Sequence, residues 1–204
     1  MSTLPLLLRN ILSYLGQMSI LAIPGALGYF IFLPGRQGRL RDRNLRSGTI
    51  REAAMLLFVM TVCSILAVTL RPPGGWGDPL PVRTDPWENV NLTPLHMIPV
   101  YRAYLRLGYH VDFIINLLGN VLVFSPLGFL PALLFRKASW WRSVLVGGGI
   151  SVLVECGQYF LMRQSDVDDV LLNALGALVG YWLFLLLRTC CSGFAEQFRC
   201  KPVS

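Results

Sequence analysis

Charged residues are scarce in this chain, and their scarcity excludes two broad classes of protein. Of 204 residues only 14% are charged, whereas 54% are apolar even before the 19 glycines are counted. A disordered chain combines low hydrophobicity with high charge, so this class is excluded. A soluble globular domain carries about 25% charged residues. The composition therefore predicts a membrane protein.

Histidine and cysteine are also few, and they lack the arrangement that a catalytic nucleophile needs. The chain has 2 His and 5 Cys. Cys63 and Cys156 fall in long apolar segments, and the other three lie near the C-terminus, where we predict a reducing compartment that disfavours disulfides. No Ser–His or Cys–His pattern indicates nucleophilic catalysis.

Five segments almost lack charged residues and are long enough to cross a membrane. They lie at approximately 11–33, 53–70, 111–134, 143–162 and 170–188. A spanning helix needs about 20 predominantly apolar residues, and segments this long can satisfy their backbone in lipid only as helices. We therefore predict an all-α membrane protein with about five transmembrane helices. A short interfacial helix is predicted at about 97–108, in the long outer loop.

Lysine and arginine favour one side of the predicted membrane, which gives the expected orientation. The connections after the first and third spans, with the C-terminal tail, carry 12 of these residues, and the opposite side carries 6. Because cytoplasmic loops are the more basic ones, we predict the N-terminus outside and the C-terminus in the cytoplasm.

The chain is expected to have three parts. Residues 1–80 hold two spans joined by an Arg-rich loop, residues 85–188 hold three spans, and residues 189–204 form a cytoplasmic tail. The arginines from Arg36 to Arg51 lack the interleaved aromatic residues on which nucleic-acid bases would stack. They favour a topology determinant that contacts anionic lipid, and no nucleic-acid partner is expected.

Polar residues inside the predicted spans are the candidates for a functional site. Glu155 is the only ionisable residue well inside a span, and a buried carboxyl needs a partner or a proton. Gln158 follows one turn later on the same face. Asn116 and Asn120 are four residues apart in the third span, and Asn173 lies in the fifth. All of these residues fall in the outer half of the membrane.

These side chains predict one shared polar pocket that opens outward. Its walls would be Glu155, Gln158, Asn116, Asn120 and Asn173. Its mouth would be formed by Arg163, Asp166, Asp168 and Asp169. Simpler roles stay open: the amides join helices, Ser165 or Asp166 caps the fifth span while Asp168 and Asp169 suit its positive N-terminus, and Arg163 pairs with Asp166 or Asp168. A hard cation would accept oxygen ligands from Glu155 and the three aspartates, but no spacing is diagnostic of a metal site.

Close helix packing is predicted by a stripe of small residues in the last span. Gly176, Ala177 and Gly180 fall on one face of that helix. Small side chains let two backbones approach closely inside a membrane, where such stripes are common at helix contacts.

Three spaced motifs resemble the VanZ-like family of bacterial membrane proteins. They are NLTPL at 91–95, INLLGNVLVFSPLGFLP at 115–131 and ECGQYFLMRQSDVDDVLLNALGALVGY at 155–181. Leu95 stands where the family usually has Phe. The resemblance adds Asn91 to the expected ligand-binding residues and implies a location in the bacterial cytoplasmic membrane. Because the family is named for a teicoplanin-resistance protein, it also implies a role in glycopeptide resistance or in handling envelope lipids.

Three classes of function are compatible with these features. The leading expectation is a binding protein without a cofactor, whose partners are membrane lipids and a lipid-linked envelope precursor or a lipoglycopeptide. The second is an enzyme in which Glu155 acts as an acid or base on a lipid head group while Asp168 and Asp169 hold a cation. The third is a membrane scaffold for other envelope proteins.

Overall fold

The computed structural model describes residues 3–75, 77, 79, 82, 84–107 and 110–203, with side chains except at 3–11, 14, 104, 110–116 and 192. Within these ranges the helices are α1 (Thr3–Arg41), α2 (Thr49–Thr69), α3 (Met97–Leu107), α4 (His110–Leu134), α5 (Trp140–Phe160), α6 (Val167–Cys190) and α7 (Ser192–Glu196). The strands are β1 (Leu45–Arg46), β2 (Val90–Asn91), β3 (Ser165–Asp166) and β4 (Lys201–Pro202).

Five of these helices are long and apolar enough to cross a membrane. They are α1 from Leu15 onward, α2, α4 from Leu117 onward, α5 and α6. The predicted all-α class with about five spans is confirmed. A short helix also occurs where one was predicted, although it ends at Leu107 and residue 108 lies outside the described residues.

The first two spans carry charged residues that the predicted boundaries left outside. Helix α1 continues to Arg41, past the predicted end at residue 33, and α2 begins at Thr49. Near the junction, Arg36 forms an ion pair with Glu52, and the Tyr29 hydroxyl donates a hydrogen bond to the same carboxylate. Arginine is a good helix former, and this ion pair ties the last turns of α1 to the first turn of α2.

The chain divides into two compact units. The first comprises Met1–Leu70 and Gly193–Ser204. In it, α1 packs on α2, and a Cβ added at Gly25 would meet the Cys63 side chain. Strands β1 and β4 pair antiparallel, so the segment between α1 and α2 lies against the C-terminal segment.

The second unit comprises Arg71–Ser192 and is built around α6. Helix α4 packs along one side of α6, and α5 packs along another. Its apolar core includes Phe124, Leu127, Val154 and Phe184. The small-residue stripe lies at the α4–α6 contact, because a Cβ added at Gly180 would meet backbone atoms of Ser125 and Phe129. The predicted close packing of α6 is therefore confirmed.

Candidate functional site

Asp168 fixes the segment that leads into α3. Its side chain is only 2% exposed, and its two carboxylate oxygens accept hydrogen bonds from the backbone N–H groups of Leu95, at 2.5 Å, and Met97, at 2.8 Å. Met97 is the first residue of α3, and the first N–H groups of a helix lack intrahelical acceptors. Asp168, which belongs to α6, therefore caps α3.

Asp166 caps α6 and also forms hydrogen bonds with the loop before α3. The Asp166 side chain accepts a hydrogen bond from the Asp168 N–H at 2.9 Å, as an N-cap residue does. The Asn91 amide donates to both of its carboxylate oxygens at 3.1 Å. The backbones of these two residues are also partners in the parallel β2–β3 pair. The predicted capping of α6 by Asp166 is confirmed, and Asn91 is held against it.

Glu155 connects α5 to the same cap. Its side chain is 6% exposed, and its Oε2 accepts a hydrogen bond from the backbone N–H of Asp166 at 2.8 Å. This buried carboxyl group is therefore bound by a neutral backbone group of the residue that caps α6.

The two described asparagines of the spans join helices. Asn120 on α4 donates its amide hydrogen to Asp169 on α6 at 2.9 Å. Asn173 on α6 donates to the Ser151 hydroxyl on α5 at 2.8 Å, and both of these side chains are buried. These are the interhelical bonds that the simpler interpretation of the amides predicted.

Arg163 does not pair with the aspartates near it in sequence. Its Nη1 donates a hydrogen bond to the Arg71 carbonyl at 3.0 Å, and its own N–H donates to the Gln158 carbonyl at 2.9 Å. Within the described residues, neither Asp166 nor Asp168 forms an ion pair with it. The backbone after Phe160 turns the arginine toward the 71–73 segment, so the alternative in which Arg163 pairs with Asp166 or Asp168 is wrong.

A cavity of about 550 Å³ lies beside this network. Its walls are Pro86, Trp87, Val90, Leu92, Val152, Glu155, Cys156, Tyr159, Phe160, Ser165, Asp166, Val167 and Val170. Most of these side chains are apolar, and Glu155 and Asp166 are the carboxylates among them. One end of an apolar space is therefore acidic.

The cavity differs from the shared polar pocket that the sequence predicted. Asn120, Asn173 and Gln158 are not on its walls, and the two asparagines point at partners between helices. Asp168 and Asp169 likewise face the α3 segment and Asn120. The Asn116 side chain lies outside the described residues. Among the predicted residues whose side chains are described, Glu155 and Asp166 line the space.

The site brings four carboxyl groups together. The hydrogen bonds described above to Glu155, Asp166, Asp168 and Asp169 all come from backbone N–H groups or asparagine amides, which carry no charge. Among the described residues, no group of three His, Cys, Asp or Glu side chains is placed to hold a metal ion. The carboxyl groups instead accept hydrogen bonds from separate partners within the fold.

Comparison with known proteins identifies the family. A family model described as VanZ/LLP1 matches residues 20–188. This chain belongs to the VanZ/LLP1 family. No curated protein and no solved structure matches it significantly. The matched region also includes most of α1 and all of α2, which carry none of the motifs on which the resemblance rested.

The structure explains why the VanZ motif residues stand where they do. Asn91 from the first motif and Asp166 and Asp168 from the third form one hydrogen-bond network around the start of α3 and α6. The motif glycines of α6 are at its contact with α4. Asn91, Asp168 and the two glycines therefore assemble the fold around the cavity, whereas Asp166 both joins the network and lines the cavity.

Sequence reasoning missed several residues of the site. Ser151, the partner of Asn173, lies four residues before Glu155, so helical spacing places it on the same face of α5. Trp87 and Leu92 come from the proline-rich loop, and nothing in its pattern predicted that it would cover α5. The β2–β3 pairing and the hydrogen bonds to Asp166 and Asp168 bring that loop to the start of α6.

Proposed function

We propose that this VanZ-family membrane protein binds an amphiphilic ligand in the cavity beside Glu155. The observation that carries the proposal is the combination of apolar walls and two carboxylates in one space of about 550 Å³. Pockets for small molecules typically measure about 300–1,000 Å³ and combine apolar walls with a few polar groups. An acyl chain would occupy the apolar part, and a polar head group would meet Glu155 and Asp166.

Exposed apolar side chains around the cavity support an acyl chain as part of the ligand. Trp87 is 69% exposed, Leu92 66% and Phe160 70%. Lipid covers such side chains elsewhere on the spans, and an acyl chain in the cavity would cover these three in the same way. Covering apolar surface contributes roughly 25 cal/mol for each Å² removed from water, so a chain lying along these walls would contribute strongly to binding.

The acidic end of the cavity favours a head group with hydroxyl, amide or amine donors. Two classes of amphiphile have this character: a lipid-linked envelope precursor, and an acylated glycopeptide of the teicoplanin type. Family membership supports a role in glycopeptide tolerance or in handling envelope lipids. Positive charge bias supports an orientation with the N-terminus outside the cytoplasmic membrane of a bacterium. In that orientation Asp166 and the cavity would open toward the outer leaflet, where both ligands occur.

A cavity-filling variant tests the proposal. Val152 lines the cavity, whereas the adjacent Leu153 is 68% exposed and does not line it. Full-length wild type, Val152→Trp and Leu153→Trp would be placed in lipid nanodiscs, and binding of teicoplanin and of its deacylated form would be measured. We expect teicoplanin to bind wild type and Leu153→Trp, Val152→Trp to weaken binding at least tenfold, and deacylated teicoplanin to bind weakly throughout.

The second variant, Glu155→Gln, separates charge from shape. Glutamine keeps an oxygen that accepts the Asp166 N–H, so the fold should survive. Removing a charged hydrogen-bond partner costs about 1.5–3 kcal/mol, so affinity should fall about tenfold or more. Unchanged melting temperature in detergent would verify that the protein is folded.

Mass spectrometry of amphiphiles that co-purify with each variant covers ligands other than teicoplanin. An intact lipid retained by wild type and Leu153→Trp but lost from Val152→Trp supports the binding function. Recovery of a lipid whose head group has been cleaved or transferred would indicate that the protein is an enzyme that acts through Glu155, and not a binding protein. Equal lipid content in all variants, together with no teicoplanin binding, would refute the proposal and favour a scaffold.

A further inference from the structure

A second cavity lies at the start of α2, in the unit formed by Met1–Leu70 and Gly193–Ser204. It measures about 670 Å³, and its polar walls are Arg46, Ser47, Thr49, Gln197 and Lys201. Arg46 and Ser47 belong to the connection between α1 and α2, Thr49 is the first residue of α2, and the last two belong to the C-terminal segment. The lining contains two cations and no carboxylate. This composition is typical of a site for an anion.

The two cations are neighbours across a β-pair. Arg46 on β1 is the direct cross-strand partner of Lys201 on β4. Directly opposed side chains of a β-pair project from the same face, and like charges in such positions destabilise the pair. An anion between Arg46 and Lys201 would turn this repulsion into two attractive contacts.

The start of α2 supplies further donors. Gly48 is the N-cap residue and provides no side-chain hydrogen bond. The first backbone N–H of this helix with a carbonyl acceptor is that of Glu52, which donates to Gly48 at 3.0 Å. The N–H groups of Thr49, Ile50 and Arg51 come earlier in the first turn, where a helix has no acceptors of its own. The positive end of the helix dipole adds to their attraction for an anion.

Arg51 gives an independent indication that this region takes an anion. Its side chain is only 5% exposed, and its Nη1 donates to the hydroxyl of Ser47, a wall residue, at 3.2 Å. Its Nε has no partner among the described residues. The neighbouring Glu52 is already paired with Arg36, and this is the ion pair found in this part of the described chain. A buried guanidinium without a counter-charge is costly.

We propose that this cavity binds a phosphate group, held by Arg46, Lys201, Ser47 and the first N–H groups of α2, with Arg51 supplying positive charge behind the wall. Tetrahedral oxyanions suit this set because they accept several hydrogen bonds at once. Thr49 is the first residue of a membrane span, so the cavity lies at the level of lipid phosphates. The phosphate belongs either to an anionic lipid head group or to a free phosphate ion.

The test measures thermal unfolding of the full-length protein with two probes. Sodium phosphate is titrated into protein in phosphatidylcholine nanodiscs at constant ionic strength, and a second series replaces part of the phosphatidylcholine with phosphatidylglycerol. The variants are Arg46→Gln and Lys201→Gln, and the matched control is Arg43→Gln, an exposed arginine of the same connection that does not line the cavity.

Wild type and Arg43→Gln should be stabilised by one or both probes, and each cavity variant should raise the midpoint of that response about tenfold. Stabilisation by sodium phosphate assigns the site to free phosphate, whereas stabilisation only by phosphatidylglycerol assigns it to a lipid head group. Because Arg46 and Lys201 are exposed and β1 and β4 pair through their backbones, both variants should fold. No stabilisation of wild type, or equal responses in Lys201→Gln and Arg43→Gln, would overturn the proposal.

Discussion

Replacing Gly180 by alanine tests the helix contact on which the second unit is built. An alanine Cβ at this position would collide with the Ser125 carbonyl oxygen and would lie 2.8 Å from the Ser125 carbonyl carbon and 2.9 Å from the Phe129 nitrogen. All three are backbone atoms of α4, so no side-chain rotation can relieve the contact. Helices α4 and α6 would have to separate.

The size of the effect follows from these contacts. Overpacking a tight contact typically costs about 1–3 kcal/mol, and a contact with backbone lies toward the upper end because a whole helix must shift. Alanine also has a higher helix propensity than glycine by about 1 kcal/mol, which partly offsets the cost. We expect Gly180→Ala to lower the free energy of unfolding by about 2 kcal/mol.

Unfolding by SDS titration in mixed micelles, followed by circular dichroism, measures this change. Gly119→Ala on α4 and Gly149→Ala on α5 are the controls, because a Cβ at either position would have nothing within 4 Å. Both should match or exceed wild-type stability. If Gly180→Ala unfolds at the same SDS fraction as these controls, the α4–α6 contact described here is incorrect.

Substituting a second glycine tests whether both substitutions destabilise the protein through the same α4–α6 contact. A Cβ at Gly128 on α4 would collide with the backbone of Ala177 on α6, so it opposes the same approach of the two helices from the other side. Once one substitution has separated the helices, the second should cost less. The double variant Gly128→Ala/Gly180→Ala should therefore be destabilised by less than the sum of the single variants, and full additivity would argue against a shared contact.

Three further predictions concern the hydrogen-bond network and the orientation. Asp168→Ala leaves the Leu95 and Met97 N–H groups without their acceptor and should lower the free energy of unfolding by about 2 kcal/mol or more. Asp168→Asn keeps one oxygen and should lower it by about half as much. Equal losses in the two variants would contradict the capping role. Asn173→Ala should lower the melting temperature in detergent, and a double-mutant cycle with Ser151→Ala should give a coupling of about 0.6 kcal/mol, whereas zero coupling would separate the pair. Reporter fusions should be cytoplasmic, outside, cytoplasmic, outside and cytoplasmic at residues 45, 90, 139, 166 and 200, and an outside signal at 45 or 200 would reverse the orientation.

The sequence by itself determined the class of fold and the place of its helices. Long uncharged segments must be helical in lipid because no other local structure satisfies their backbone. The stripe of Gly176 and Gly180 indicated a close helix contact for the same local reason: small residues four apart fall on one face. The sequence did not determine the ends of the helices. Helix α1 continues to Arg41, and its last turns are joined by an ion pair to a residue of the next helix.

Only the tertiary structure decided which polar residues share a site. Spacing along one helix gives the face of Glu155 or Asn173 but not the neighbour that the face meets, because that depends on how separate helices rotate against each other. The structure directs Asn173 to Ser151 and Asn120 to Asp169, and it brings Trp87 from a distant loop to the wall beside Glu155. These contacts join residues far apart in sequence, so no local pattern could have contained them.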